Sequence, residues 1–172
     1  MDIAILGFRF YKGLNIKSLC ENASSIFSLN VSFTNGVLDV GLAYDSIRGQ
    51  YNSTLLLNLL KRSKIKSYAS KIIGLTDLDL FVPILTYVFG EAELNGQAAV
   101  VSSHRLHNEF YGLPKDDSLL QNRILKEIMH ELGHTLGLIH CSDNKCVMHS
   151  STYVEDIDLK DNSLCESCKK LI

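Results

Sequence analysis

One segment close to the C-terminus constrains this chain more than any other part of it. Residues 128–148, IMHELGHTLGLIHCSDNKCVM, hold three histidines, a glutamate and two cysteines. A second pair of cysteines, Cys165 and Cys168, follows soon afterwards. Because imidazole and thiolate groups are the ligands that zinc prefers in proteins, the segment predicts a fold that is organised around bound metal.

The spacing of His130 and His134 suits a shared metal ion. On an α-helix, residues four apart differ by about 40° around the axis and about 6 Å along it, so both imidazoles can reach one ion. A third imidazole can join them only after the helix ends, and Gly137 is placed to end it through a left-handed conformation. We therefore expect His140 to complete a three-histidine zinc site from outside the helix.

Glu131 projects from an adjacent face of the same helix. From there its carboxylate can reach a water on the ion without being a ligand, which is the general-base position in zinc hydrolysis. Three neutral imidazoles leave the ion its full charge and an open position, where the pKa of a bound water falls to about 7. The pattern predicts hydrolysis by a metal-activated water, with Glu131 as the catalytic base.

The cysteines near the C-terminus indicate a second zinc site. If the chain is extended at His140 and Cys141, their side chains point to opposite sides, so that each can serve a different ion. The expected ligands form two halves separated by residues 147–164: Cys141 with Cys146, and Cys165 with Cys168. Four thiolates fill the zinc tetrahedron, so this site would be structural and the first one catalytic.

Plainer interpretations compete with these. A His-Glu-x-x-His pattern also arises by chance on surface helices, and the four cysteines could be reduced thiols without metal. Gly137 and His140 at fixed offsets favour the metal site. The other candidates are interpreted without a ligand role: His104, His107 and His149 on loops or strand ends, and Cys20 as a small buried residue on a helix.

The first half of the chain alternates strands and helices. The predicted elements are a buried strand at 2–8, a helix at 15–27, a strand and turn within 29–40, a helix within 46–64 and a buried strand within 70–82. This order predicts an α/β (mixed α+β) domain with a twisted, mostly parallel sheet. The cysteine-flanked segment at the end is expected to consist of loops and short turns.

The second half holds a hairpin and the longest helix. Asn95-Gly96 lies between two apolar segments of 86–106 and predicts an antiparallel hairpin with one strand at the sheet edge. An edge strand leaves backbone groups unpaired, and a peptide substrate can pair with them. Residues 114–138 predict the helix that carries the histidines, with Leu120, Ile124 and Ile128 as its apolar stripe.

Length and composition set the wider limits. With 172 residues the chain is expected to form one domain, 1–172, and a net charge of -2 argues against nucleic acid as a partner. The N-terminus reads as a strand rather than a signal peptide, and no apolar stretch is long enough to span a membrane. We therefore predict a cytoplasmic protein, and a monomer.

The residues above resemble the metzincin zinc peptidases and, within them, the archaemetzincins. The resemblance lies in His130-Glu131-x-x-His134-x-x-Gly137-x-x-His140-Cys141, then Cys146-x-Met148 and Cys165-x-x-Cys168. The stretch FGEAELNGQAAVVSSHRL is also similar to the family's strand region, so the likeness covers roughly residues 70–168. The stretch between Met148 and Cys165 is slightly shorter than is usual in the family.

The resemblance implies a metzincin-like fold and zinc-dependent cleavage of peptide bonds. His130, His134 and His140 would bind the catalytic zinc, the four cysteines would bind the structural zinc, and Glu131 would act as the base. Met148 would lie in a turn beneath the histidines. An upper subdomain of about 1–137 would end in the active-site helix, and a lower one of about 138–172 would carry the second zinc. Many metzincins have a tyrosine two residues after that methionine, where this chain has Ser150.

A peptide or protein substrate would lie extended along an edge strand within 86–94. There Glu91 and Glu93 could favour a basic or free amino group on it. The alternative function is a zinc-stabilised protein-binding module with a latent or weak hydrolase site. A third reading is hydrolysis of a non-peptide amide by the same zinc site. The complete set of histidines and the intact Glu131 favour the enzyme.

Overall fold

Helices and strands alternate through most of the chain. The computed structural model describes residues 1–63 and 69–172. In chain order the elements are β1 (Asp2–Gly7), α1 (Ile16–Phe27), β2 (Asn30–Asn35), β3 (Tyr44–Asp45), β4 (Gln50–Asn52), α2 (Ser53–Lys61), β5 (Lys71–Thr76), β6 (Leu80–Phe81), β7 (Gly90–Ala92), β8 (Ala98–Ser102), α3 (Asp117–Thr135), α4 (Val154–Leu159) and α5 (Glu166–Lys169). Short 3-10 turns lie at Val40–Ala43, His104–Leu106 and Asn108–Tyr111.

A five-stranded sheet in the order β2-β1-β5-β8-β7 forms the centre of the fold. The first four strands pair in parallel, and β7 pairs antiparallel with β8 at the edge. The turn between β7 and β8 contains Asn95, whose φ of 54° is the left-handed conformation that such turns require. The mixed α/β fold, the mostly parallel sheet and the antiparallel edge strand are therefore confirmed.

Helices cover both faces of the sheet because its central strands are apolar on both sides. On β8, Ala99 and Val101 pack in the hydrophobic core with α1 and α3, whereas Ala98 and Val100 pack in the core with α2. The three longer helices each begin at a polar residue whose side chain accepts a backbone N–H: Asn15 for α1, Asn52 for α2 and Asp116 for α3. The helix predicted within 46–64 is α2, and residue 64 lies outside the described residues.

The structure corrects the strand predicted within 70–82. Its first part is β5 in the central sheet, but residues 80–81 form β6 in a separate sheet, β3-β4-β6, that the sequence did not predict. Two aspartates explain the break, because both turn towards side chains that follow β8. Ser103 donates a hydrogen bond to Asp77, and Arg105 forms a two-point ion pair with Asp79.

The C-terminal segment contains two short helices, α4 and α5, where only loops and turns were predicted. Arg123 on α3 donates two hydrogen bonds to the Asp158 carboxylate, at 2.7 and 2.6 Å. Lys126, one turn further along α3, donates to the carbonyls of Ile157 and Asp158. These contacts fasten α4 to the long helix. Among the described residues no helix combines the length and the apolar character that crossing a membrane requires.

Candidate active site

The end of α3 positions the first two histidines and turns the chain towards the third. Gly137 has a φ of 97°. The Gly137 N–H donates to the carbonyl of His134 at 2.9 Å, and the Leu138 N–H donates to the carbonyl of Gly133 at 3.0 Å. This pair of bonds is a Schellman motif, in which a glycine in the left-handed conformation closes the helix. Beyond Gly137 the chain leaves the axis of α3 and then turns back, so that His140 lies close to His130 and His134.

The structure brings His130, His134 and His140 together, and we call them the histidine cluster. One ring nitrogen of each lies within 4.8 Å of one ring nitrogen of the others. His130 is buried, His134 is half-buried and His140 is exposed. The cluster therefore rises from the protein interior to the surface and leaves one side accessible.

Hydrogen bonds to backbone carbonyls fix how two of these rings are protonated. Nδ1 of His130 lies 2.8 Å from the Val147 carbonyl, and Nδ1 of His134 lies 2.7 Å from the Leu138 carbonyl. A carbonyl only accepts, so each Nδ1 carries a proton, and in the neutral ring Nε2 then presents a lone pair. Burial lowers the pKa of His130 well below its usual range, which favours the neutral, metal-binding form.

These residues fit a metal ion. The Nε2 atoms of His130 and His134 are 3.1 Å apart, and in their neutral forms neither can donate to the other. Two ligands about 2.0 Å from a tetrahedral zinc are separated by about 3.3 Å, close to this distance. A cation between the two lone pairs removes their repulsion.

Glu131 is buried next to the edge strand. A Cβ added at Gly90 of β7 would lie 2.6 Å from Oε1 of Glu131, so the absence of a side chain at position 90 makes room for the carboxylate. Burial raises the pKa of Glu131 well above its usual range, the neighbouring Glu127 raises it further, and the buried Lys160 opposes this. A raised carboxyl pKa suits a group that accepts a proton near neutral pH.

Met148 lies fully buried beneath the helix that carries the cluster. A Cβ added at Gly133 would meet the Met148 sulfur, so the helix and the methionine can approach only because residue 133 has no side chain. The Met148 carbonyl accepts the N–H of Cys141 at 3.0 Å. The turn that contains the methionine is thereby attached to the segment that contains the third histidine.

The four cysteines Cys141, Cys146, Cys165 and Cys168 also meet, and we call them the cysteine cluster; their sulfurs all lie within 4.8 Å of one another. The sulfurs of Cys141 and Cys165 are 3.8 Å apart, the separation of about 3.8 Å expected for two sulfurs about 2.3 Å from a tetrahedral zinc. Hydrogen bonds from the backbone of Cys168 and from neighbouring thiols lower the pKa of Cys165 to about 7, whereas burial raises that of Cys168. The cluster fits a zinc ion that holds all four as thiolates.

Two short backbone paths join the clusters. His140 and Cys141 are adjacent in the chain. Val147, whose carbonyl holds His130, follows Cys146, and its N–H donates to the Ser163 carbonyl at 2.9 Å. The orientation of His130 therefore depends on Val147, which is bonded covalently to Cys146 and hydrogen-bonded to Ser163, two residues before Cys165.

The histidine cluster and Glu131 lie in a cleft with a volume of about 560 Å³. Residues 85–92 form one wall and residues 150–153 the other, and α3 forms the base. Glu93 N–H bonds the Ala98 carbonyl and Ser102 N–H bonds the Phe89 carbonyl, so the residues between alternate in direction. By this alternation the backbone groups of Gly90 and Ala92 point away from β8.

Other candidate residues have partners of their own. Lys61 donates to Glu93 at 2.5 Å, whereas Glu91 accepts hydrogen bonds from Ser53 and Thr54 and lines the cleft. The attraction of a substrate amino group by these glutamates stays a prediction. The remaining histidines lie outside both clusters. His104 begins the first 3-10 turn after β8, His107 lies between that turn and the next, and His149 bonds the Cys141 carbonyl. Cys20 lies on α1 as predicted but is half-buried, not buried.

Several functional features were missed from the sequence. Gly90 gives no sequence signal, because its importance comes from a helix that is distant along the chain. The carbonyls of Val147 and Leu138 are also invisible, because any residue supplies a carbonyl. Only a structure shows that these groups meet Glu131 and the histidine cluster.

Comparisons with known proteins agree with this geometry. The model of Peptidase family M54 matches residues 35–172. An archaemetzincin of Methanocaldococcus jannaschii is 47% identical over 128 residues, covering 74% of this chain and 69% of the relative. The crystal structure of an archaemetzincin from Methanopyrus kandleri has a TM-score of 0.86 and 34% identity, covering 99% of this chain and 92% of that one. That of Archaeoglobus fulgidus archaemetzincin complexed with malonate has a TM-score of 0.84 and 35% identity, covering 100% of both chains.

An edge strand beside a helix with two histidines and a glutamate, completed by a third histidine, defines the class of a zinc metallopeptidase. The chain belongs to Peptidase family M54, and its fold is that of the archaemetzincin structures. The interpretation of the sequence as a zinc metallopeptidase is thereby confirmed.

Proposed function

We propose that the chain hydrolyses peptide bonds at the histidine cluster, with His130, His134 and His140 as zinc ligands and Glu131 as general base. One observation carries this proposal: two Nε2 lone pairs face each other at 3.1 Å while both Nδ1 atoms bond to carbonyls. Between two neutral rings such an arrangement is unfavourable without a cation. The family supports zinc as that cation.

When bound, zinc acts as a Lewis acid that polarises a carbonyl and lowers the pKa of water. The other steps belong to side chains of this protein. Glu131 takes a proton from the attacking water and delivers it to the leaving amine as the peptide bond breaks. Its burial beside Gly90 keeps bulk water away from the carboxylate and holds it at the edge strand. Met148 provides an apolar floor that fixes the position of the helix.

The substrate would be held by backbone pairing. The outward-facing N–H and C=O groups of Gly90 and Ala92 offer an extended peptide two residues of β-type hydrogen bonding. Gly90 is also the residue next to Glu131, so pairing there brings a substrate carbonyl close to the base. The strand that would pair with substrate is then β7, a shorter segment than the range 86–94 predicted from the sequence.

We further propose that the cysteine cluster binds a second, structural zinc, which gives two zinc ions per chain. Four thiolates would leave no open position for substrate or water. This zinc would stabilise a lower subdomain of about 138–172, which packs against an upper subdomain of about 1–137. The predictions of a monomer and of a cytoplasmic location, where thiols remain reduced, also belong to this proposal.

The test is turnover of a mixed peptide library by the zinc-loaded wild type and by Glu131→Gln. We expect Glu131→Gln to lose at least about 10²-fold in turnover while keeping its zinc content and its melting temperature, because the amide is isosteric but cannot accept the proton. Glu109→Gln, which replaces an exposed glutamate outside the cleft, is the matched control and should retain full activity. Substantial turnover by Glu131→Gln would exclude its role as the base.

A further inference from the structure

A tyrosine crosses the cleft at one end. The hydroxyl of Tyr87, on the wall formed by residues 85–92, donates a hydrogen bond to the Thr152 carbonyl on the opposite wall at 2.8 Å. A chain that pairs with an edge strand lies about 4.8 Å from it and needs a similar distance on its other side. The tyrosine side chain occupies that space.

The ring of Tyr87 is held on two sides. Phe89 packs edge-on against it with ring centroids 5.5 Å apart, and the Arg105 guanidinium lies over it at 4.3 Å. Asp79 fixes that guanidinium through two hydrogen bonds, at 2.6 and 2.8 Å. A ring confined in this way loses little further freedom when its hydroxyl forms a hydrogen bond, so the crossing is a built feature of the cleft.

The Thr152 carbonyl, which accepts the hydrogen bond from Tyr87, is also held in place. The Asp156 carboxylate in the first turn of α4 accepts the N–H groups of Thr152 and Tyr153, both at 2.8 Å. These backbone hydrogen bonds lower the pKa of Asp156, so it remains ionised and keeps its partners in place. The Thr152 carbonyl therefore belongs to a rigid turn.

The backbone beside the tyrosine is also unable to pair with a substrate. The N–H of Val88 donates to the carbonyl of Leu80 at 3.0 Å, which joins this part of the wall to β6. The first residue whose backbone groups face the cleft is Gly90, next to Glu131. Three residues of extended chain, about 10 Å, separate position 90 from position 87.

We propose that Tyr87 is a specificity-determining residue that closes the cleft and allows about three substrate residues at most beyond the scissile bond on its side. The substrates would then be short peptides or chain ends rather than internal segments of folded proteins. This inference rests on the proposed function, because it takes the scissile bond to lie between Glu131 and the histidine cluster.

The test measures binding rather than turnover. Two series of alanine peptides carry a hydroxamate, which chelates zinc and so fixes the register; one series extends from it in the C-terminal direction and the other in the N-terminal direction. The peptides of each series are one to six residues long. Dissociation constants are measured on the zinc-loaded wild type, on Tyr87→Phe and Tyr87→Ala, and on the control Tyr44→Phe, which alters an exposed tyrosine of β3.

In the wild type we expect affinity in one series to stop rising, or to fall, beyond about three residues, while the other series continues to gain. Tyr87→Phe keeps the ring contacts and should bind the longer members of the limited series about fivefold more tightly, because one hydrogen bond no longer has to be broken. Tyr87→Ala should remove the limit, and Tyr44→Phe should match the wild type.

Other results would overturn the inference. If both series gain steadily in the wild type, or if the limit persists in Tyr87→Ala, Tyr87 does not close the cleft although the metal site stands. If no hydroxamate binds the zinc-loaded protein at any length, the proposed metal site fails and the inference fails with it.

Discussion

The histidine cluster ends at His140 and the cysteine cluster begins at the next residue, Cys141, yet their surroundings are opposite. The histidines line the cleft, and their exposure increases from His130 to His140. None of the cysteines, all of which lie among the described residues, lines that cleft, and Cys146 and Cys168 are buried with exposed fractions of 1% and 6%. The chain thus has an open cluster of imidazoles beside a more enclosed cluster of thiols, an arrangement that suits chemistry at the first and stability at the second.

The two clusters differ in their surroundings but are connected through the backbone. The backbone of Val147 is held by Ser163 on one side and holds His130 on the other. A metal bound by the cysteines would therefore fix a group that orients a histidine, although it contacts no substrate. Such outer partners commonly change metal affinity by about 10- to 100-fold.

The largest expected effect comes from the open site. His134→Ala removes one of three proposed zinc ligands and should abolish turnover. Truncation of this half-buried side chain costs little in itself, so the melting temperature should fall only by what the lost zinc contributed to stability. His104→Ala is the control, since that residue lies outside both clusters. Turnover and thermal unfolding on the same zinc-loaded samples provide the measurement, and an active His134→Ala would contradict the assignment.

A smaller loss is expected when the cleft wall is pushed away from the base. Gly90→Ala places a methyl group against the Glu131 carboxylate and 2.8 Å from the Val100 carbonyl, which belongs to the backbone and cannot move aside. A displacement of about 1 Å at a catalytic group costs roughly 10²-fold in rate. Gly41→Ala, whose added Cβ would meet only Asp39 at 3.4 Å, should leave kcat/KM unchanged.

The closed site should respond in stability. Cys168→Ala leaves three thiolates and should lower the melting temperature by roughly 10 °C or more, since a structural zinc contributes several kcal/mol to folding. Through Val147 it should also weaken zinc binding at the histidines about tenfold, which chelator competition measures. Cys20→Ala tests the loss of a thiol outside the cluster. Equal melting temperatures of Cys168→Ala and Cys20→Ala would contradict a structural role of the cysteine cluster.

The smallest effect is expected beneath the histidines. Met148→Leu conserves volume and should cost less than about 1.5 kcal/mol in the free energy of unfolding, with zinc content unchanged. Gly133→Ala should cost more, because its added carbon meets the Met148 sulfur. Denaturant unfolding of both variants gives the comparison, and an equal cost would mean that the methionine does not support the helix.

The sequence predicted the elements whose local patterns are strong. The helical spacing of His130 and His134, the break at Gly137 and the turn at Asn95 all reflect local chain geometry, and the structure has the helix, the break and the hairpin. The sequence did not predict β6, α4 and α5, because a strand of two residues and helices of six and four residues are too short to show a periodic pattern.

Contacts between distant residues explain the other failures. Lys61 forms an ion pair with Glu93, and Ser53 and Thr54 donate to Glu91, and the sequence indicated none of these partners. The bond between Tyr87 and Thr152 joins residues 65 positions apart. Neither pairing leaves a local pattern that could be read before the chain is folded. The roles of the individual ligands remain predictions.

Zinc stoichiometry combined with zinc X-ray absorption tests the central claim most directly. We predict two zinc ions per wild-type chain and one in each of His134→Ala and Cys168→Ala. The zinc retained by His134→Ala should be surrounded by sulfur at about 2.3 Å, and the zinc retained by Cys168→Ala by nitrogen and oxygen at about 2.0 Å. A single zinc in the folded wild type, or sulfur coordination of the zinc that remains in Cys168→Ala, would contradict the account.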